Sequence, residues 1–275
     1  MGSFVMKKLC STGLLSIFLV AVSSSLVFAQ YIPNITDANR YELHFSHPLN
    51  EESISPDSHG RFDYLFSSLS NKASESTLNF EFEYALSPAF SVSASLPYQI
   101  MKPNNMSSFS HTDNLEISLK FANYTFANHH VLLGYGSSFD LPTGNSSQGI
   151  GNSTRLGINP YFDMGYMYHK WEWTAYATFG IPTHIRKSLC NCSNEFNLQF
   201  ATVYHALPSL QGIFEAQRIS ELNGPNMGQS GYYLTEGIKY LIQHSPIMVG
   251  LGIREPLSHY QDFKSQELVS IFYDL

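Results

Sequence analysis

The sequence predicts an all-β protein, a transmembrane antiparallel up-and-down β-barrel of about twelve strands, and three observations predict it. First, the chain of 275 residues is 43% hydrophobic and 14% aromatic but only 13% charged, about half the charge of an ordinary soluble domain. Second, beyond residue 29 no run approaches the ~18 apolar residues that a membrane helix needs. The mean hydropathy of -0.12 agrees, and a polytopic helical membrane protein is excluded. Third, apolar residues alternate with polar ones in segment after segment, and the connections between segments alternate short with long. The net charge of -7, with no cluster of Lys or Arg to neutralise phosphates, excludes a nucleic-acid partner.

The N-terminus reads as a cleaved secretory signal peptide over residues 1–29. Lys7 and Lys8 form the basic region, Leu14 to Val22 the apolar region, and Val27-Phe28-Ala29 before Gln30 the cleavage site. Ser23 to Ser25 interrupt the apolar run, so it is too short to stay as an anchor. Cleavage leaves Cys190 and Cys192 as the remaining cysteines, and no disulfide framework holds the fold. Residues 30–59 are polar, carry Pro33, Pro48 and Pro56, and form an N-terminal segment that sits in the lumen or hangs in the periplasm. Residues 60–275 form the barrel.

Period-two patterning defines the strands. Over 77–86, Leu78, Phe80, Phe82, Tyr84 and Leu86 share one face, and Asn79, Glu81 and Glu83 share the other. Over 114–122, Leu115, Ile117, Leu119 and Phe121 oppose Glu116, Ser118 and Lys120. Over 171–181, Trp171, Trp173, Ala175, Ala177, Phe179 and Ile181 oppose Glu172, Thr174, Tyr176 and Thr178. Similar strands read at 61–70, 89–99, 129–141, 154–168, 195–206, 209–219, 231–242, 246–255 and 266–275. Residues 40–47 could add an edge element.

Turns near 87–88, 127–128, 169–170, 207–208 and 244–245 are tight, whereas 100–113, 142–153, 182–194, 220–230 and 256–265 are long and rich in Asn, Ser and Gly. Short periplasmic turns and long external loops are what an outer-membrane barrel needs. Pro97, Pro142, Pro182 and Pro256 each fall where a strand enters a long loop and end it without removing a ladder bond from its middle. Backbone polar groups must be satisfied internally in lipid, so such strands cross only as a closed barrel. The alternating Val269, Ile271, Tyr273 and Leu275 resemble the terminal signal read by the barrel-assembly machinery, which makes that machinery and the outer-membrane lipids the expected partners.

Asp113-Asn114-Leu115-Glu116-Ile117-Ser118-Leu119-Lys120-Phe121, then Leu141-Pro142-Thr143-Gly144, then Gly149-Ile150-Gly151-Asn152-Ser153-Thr154, resemble the MetA-pathway phenol-degradation family of outer-membrane transporters. The likeness covers most of residues 60–275. It implies a β-barrel for uptake of small, often aromatic or hydrophobic solutes, with no catalytic residues.

The inward positions give the pore-lining candidates: Glu81, Glu83, Glu116, Lys120, Arg155, Asp163, Glu172, Glu215, Arg218, Lys239 and Arg254. Lining of mixed sign selects solutes by charge and size, and the same residues could instead pair into a packed interior of a narrow barrel. Both readings stand at this stage, since twelve strands fall between filled barrels of ~8 and open porins of ~16. His184, Cys190 and Cys192 offer a weak soft-metal set, against which stands an oxidised or incidental pair; no cofactor is expected. A hydrolase is disfavoured. The His-x-Ser-Asn-Gly string of outer-membrane phospholipases does not occur, and His111, His129, His130, His184 and His205 are scattered. The expected function is therefore a bacterial outer-membrane channel for passive uptake of small molecules. The alternative is a closed structural or adhesin-like barrel that binds through its external loops.

Overall fold

The computed structural model describes residues 36, 39–69, 72–145, 147, 150–151, 153, 156–183, 194–223, 227–261 and 263–275. The signal peptide, Arg155, His184, Cys190 and Cys192 lie outside the described residues. Twelve strands close into a barrel: β1 (His59–Ser68), β2 (Ser74–Ser87), β3 (Phe90–Lys102), β5 (Leu115–Asn123), β6 (Val131–Leu141), β7 (Gly157–Tyr168), β8 (Trp171–Pro182), β9 (Glu195–Leu207), β10 (Leu210–Glu221), β11 (Ser230–Leu241), β12 (Ile247–Pro256) and β13 (Ser265–Asp274). A short β4 (Phe109–Thr112) is appended to β3 alone. Each barrel strand pairs antiparallel with the next, and β13 closes onto β1 from His59↔Asp274 to Ser68↔Ser265. Closure removes both edges of the ring, so each of the twelve barrel strands is paired on both sides.

The expected strands and the alternation of short and long connections are both present. One proline reading is corrected. Pro142, Pro182 and Pro256 stand at or just beyond strand ends, but Pro97 lies inside β3. There β3 changes partner, pairing with β5 up to Ser95 and with β4 from Tyr98. A residue without an N–H costs nothing at that junction, and the Pro97 carbonyl accepts from the Asp113 amide at 2.8 Å. The strand therefore runs on as a hairpin with β4. Residues 40–47 add no strand: Arg40–Glu42 form one 3-10 turn.

The outer face carries the apolar parity. Phe80, Phe82, Tyr84 and Leu86 on β2, Phe162 and Met164 on β7, and Leu198 and Phe200 on β9 are all exposed. Tyr166, Tyr168, Tyr240 and Tyr273 lie on the same face near the short-turn end, where aromatic residues suit a lipid interface. Three of the short turns carry a histidine in left-handed backbone: His130, His169 and His244, with φ near 60, 56 and 61°.

Glu236 breaks the outer pattern. It shares parity with the exposed Tyr232, Ile238 and Tyr240 at the middle of β11, and it lies in register between Phe214 and Ile253. A basic residue on the lipid face costs about 2–4 kcal/mol at the midplane and an acidic one less. Glu236→Leu is expected to raise stability in a reversible urea titration by roughly 1–2 kcal/mol. An unchanged midpoint would show that this position faces water.

Candidate functional site

The site is the lumen, and the chain itself fills part of it. Residues 43–58 run inside the barrel at the end that carries the short turns and the C-terminus. Of the two placements the sequence left open for this segment, the structure shows the lumenal one. Two apolar clusters hold it. Leu43, Phe45 and Ile54 pack with Ala122, Tyr124, Ala127 and Leu132, and Leu49 packs with Val203, Ile213 and Leu268.

Leu49 can reach the wall because the wall is bare there. A Cβ on Gly237, Gly250 or Gly252 would run into its methyl groups, and a Cβ on Gly165 would meet the Phe45 ring. Side chains at these inward positions were given up so that the segment fits. Leu49→Ala should loosen the segment by about 2–5 kcal/mol. The readout is proteolysis between residues 43 and 58 in the folded barrel, which should speed up while the strands stay intact; unchanged cleavage would show that Leu49 does not hold the segment.

Polar contacts fix the rest. The Ser46 amide donates to Glu172 Oε2 at 2.7 Å, and the Leu49 and Asn50 amides donate to Glu215. Asn50 Nδ2 donates to Glu215 Oε2 at 2.6 Å and to Thr235 Oγ1 at 2.8 Å. Lys239, 1% exposed, donates to the His47 carbonyl, and its ammonium lies 3.6 Å from the centre of the Phe272 ring. Arg61 pairs with Asp63 at 2.8 Å and donates to the Leu49 carbonyl. Lys120 binds Glu83 at 2.7 Å and approaches Glu52 at 3.6 Å.

Most of the predicted lining residues are thus inside the barrel. Glu83, Lys120, Glu172, Glu215 and Lys239 are docking groups for the N-terminal segment or ion pairs behind it. Asp163 is also buried, against Gly134. Glu81, Glu116 and Arg254 face the space that remains. Arg218 is a correction. It lies three residues from Glu215, an odd step that puts the two on opposite faces. Arg218 is exposed on the outer face beside Tyr232, its guanidinium carbon 5.7 Å from the ring centre.

Above the segment, toward the long loops, the lumen is open. A cavity of about 410 Å³ is lined by the carboxylates of Glu51, Glu52, Glu116, Asp140 and Glu195, with no basic side chain among the described residues. Asn159, Asn197, Gln199, Tyr161 and Tyr176 complete much of its wall. A second cavity of about 300 Å³ shares Asn50, Glu52, Glu116, Gln199 and Gln217 with the first, so the two adjoin. Its cations are tied: Arg61 to Asp63, and Arg254 to Gln217 and, at 3.3 Å, to Gln266. Arg254 also lies over the Tyr233 and Phe263 rings.

Burial, with the carboxylates of Glu215 and Asp163 nearby, pushes Glu51 well above the usual carboxylate range. Burial also raises Glu52, since Glu81 and Glu83 offset the opposing effect of Lys120. Burial would raise Asp57 as well, but hydrogen bonds and charge from His47 and His59 hold it well below that range.

The sequence reading missed Glu51, Glu52, Asp57, His47 and Asp140. The first four lie in a segment with no strand pattern, where parity gives no inward face. At the rim, the three segments that carry the family resemblance meet. The Thr143 hydroxyl accepts from the Leu115 amide at 2.7 Å, the Gly144 amide donates to Asn114 Oδ1 at 3.2 Å, and Gly151, with φ of 61°, packs on Asp113 and Asn114. Thr143, Gly144 and Gly151 thereby rest against the start of β5.

The fold and lumen define the class: a closed twelve-stranded antiparallel barrel of the outer-membrane type. Among solved structures the chain is similar to the NanC porin, with a TM-score of 0.53, 10% identity, and coverage of 79% of this chain and 98% of that one. It is likewise similar to the KdgM porin, solved in complex with disordered oligogalacturonate, with a TM-score of 0.52, 9% identity, and coverage of 78% and 99%. At such identity the likeness is one of fold. No family model and no curated protein sequence matches the chain.

Proposed function

We propose that the protein is an outer-membrane channel for small hydrophilic solutes, with a preference for cations. The observation that carries this is the acidic cavity above the N-terminal segment. Five carboxylates converge on its larger part, whose described lining holds no basic side chain, and low-dielectric walls focus such a field on whatever enters. The exposed apolar outer face needs lipid around it, which supports an outer-membrane location. The short turns and both barrel termini then face the periplasm. Tyr273 and the alternating end of β13 suit recognition by the barrel-assembly machinery.

The family resemblance supports a transporter of small molecules. The lining of carboxylates, amides and tyrosines favours polar cations over the apolar solutes which that resemblance implies. The docked segment favours a second reading as well, a barrel closed at rest.

Planar-bilayer recording of the refolded chain in a KCl gradient tests both. Discrete steps with a reversal potential toward that of K⁺ are expected. No steps from either the full chain or one lacking residues 30–58 would overturn the channel, and selectivity for Cl⁻ would overturn the role of the acidic lining.

A further inference from the structure

Where the N-terminal segment turns into β1, two histidines and three carboxylates are gathered inside the barrel. Asp57 accepts from both imidazoles: its Oδ2 is 2.7 Å from His47 Nε2 and its Oδ1 is 2.7 Å from His59 Nδ1. The two rings are 4.3 Å apart in an edge contact. His59 is buried, with a side chain 1% exposed, and its other nitrogen, Nε2, makes no hydrogen bond. That nitrogen points at Glu81, whose Oε1 is 3.7 Å away and whose side chain is also buried. Glu83, fully buried, lies alongside, and donor atoms of His59, Glu81 and Glu83 fall within 4.8 Å of one another.

A hydrogen bond from Nδ1–H to Asp57 leaves the lone pair on Nε2. A buried lone pair facing two carboxylates, with no donor between them, is costly. A cation between the three groups removes that cost. We propose that His59 Nε2, Glu81 and Glu83 form a binding site for a divalent transition-metal ion, with Asp57 as the positioning residue behind His59. A carboxylate that holds the far nitrogen of a ligating histidine is a recurrent arrangement in metal sites, and losing it typically weakens binding 10–100-fold. One imidazole and two carboxylates suit Zn²⁺, Co²⁺ or Mn²⁺, with water completing the shell.

Glu83 already contacts Lys120 through Oε2 and the Ser91 hydroxyl through Oε1, at 2.7 and 2.5 Å, and accepts weakly from the Asp57 amide at 3.4 Å. The ion would therefore share Oε1 with Ser91 and leave the Lys120 pair in place. Asp57 belongs to the docked segment, and His59, Glu81 and Glu83 belong to the wall. Occupancy would tie one to the other.

The rival occupant of this position is a proton on Nε2, and titration of the refolded full-length chain with Co²⁺, followed by its visible absorption, separates the two. The expected result is about one Co²⁺ per chain, displaced by Zn²⁺. Glu81→Gln and His59→Asn should weaken binding by at least tenfold, and Asp57→Asn by roughly 10–100-fold. Cys190→Ser with Cys192→Ser should leave it unchanged. Circular dichroism checks that each variant is folded, and Glu81→Gln, which keeps the shape of the side chain, serves if His59→Asn does not fold. Absence of Co²⁺ uptake, or uptake that Glu81→Gln does not weaken, would overturn the site and leave His59 as a buried imidazolium.

Discussion

Removing residues 30–58 is expected to convert a channel of small conductance into one several times larger. The segment fills the lumen from the short-turn end up to Glu51 and Glu52, and the acidic cavity lies above it. The barrel should survive the deletion, because its ladders close without the segment: β1 begins at His59 and pairs with β13 along its whole length. What the deletion uncovers is polar or small at many positions, together with the apolar Leu132, Val203, Ile213 and Leu268 that now pack on the segment. Glu172, Glu215, Thr235 and Lys239 would exchange segment partners for water, and Gly165, Gly237, Gly250 and Gly252 would widen the bore at the height where Leu49 and Phe45 now sit. Lys239 would lose the His47 carbonyl and keep its place over Phe272. Single-channel recording in symmetric KCl gives the readout. Equal conductance with and without the segment would mean that ions do not pass where residues 43–58 lie.

The barrel was legible in the sequence because lipid and lumen impose opposite chemistries on alternate residues. Phe80, Phe82 and Tyr84 against Glu81 and Glu83 can fold in one way in a closed sheet. Parity also locates its own errors: Glu215 and Arg218 cannot both point inward without a bulge between them. The docked segment was less legible, since residues 43–58 have no period and several of their contacts lie more than a hundred residues away, as from Ser46 to Glu172 or Asn50 to Thr235.

A signal was present all the same. A water-filled lumen asks for polar side chains at inward positions, yet Ala122, Leu132, Val203, Ile213 and Leu268 hold inward positions, as do Gly237, Gly250 and Gly252, in the half of the barrel near the short turns. Apolar and absent side chains on a lumenal face imply that protein, not water, covers them. The apolar residues available to do so outside the strands include Leu43, Phe45, Leu49 and Ile54.

The second large effect is a fall in conductance as the pH is lowered toward the ordinary Glu value of ~4.3. Glu51 and Glu52 sit at the tip of the docked segment, and both carboxyls are held above the ordinary Glu value of ~4.3. A group with a raised pKa binds its proton more tightly when docked, so docking takes up protons and acid favours it. That contribution is complete below the ordinary value and is lost as the pH rises through the raised ones.

Two groups oppose it. His47 is held below its usual ~6.5 by burial and by the charges of His59 and Lys239, against the pull of Asp57, so its protonation resists docking. Asp57, depressed by its two histidines, contributes to docking above its ordinary ~3.9 and withdraws that contribution as the pH falls below it. Two carboxyls against one imidazole leave acid closure dominant as the pH falls toward the ordinary Glu value of ~4.3, with release in stronger acid as Asp57 takes its proton. Glu51→Gln should flatten the response, because that side chain is then uncharged at every pH. The chain lacking residues 30–58 should show no closure, which separates docking from any response of the wall itself. Conductance that rises on mild acidification, or an acid closure that persists in the deleted chain, would show that the segment is not the element that responds to protons.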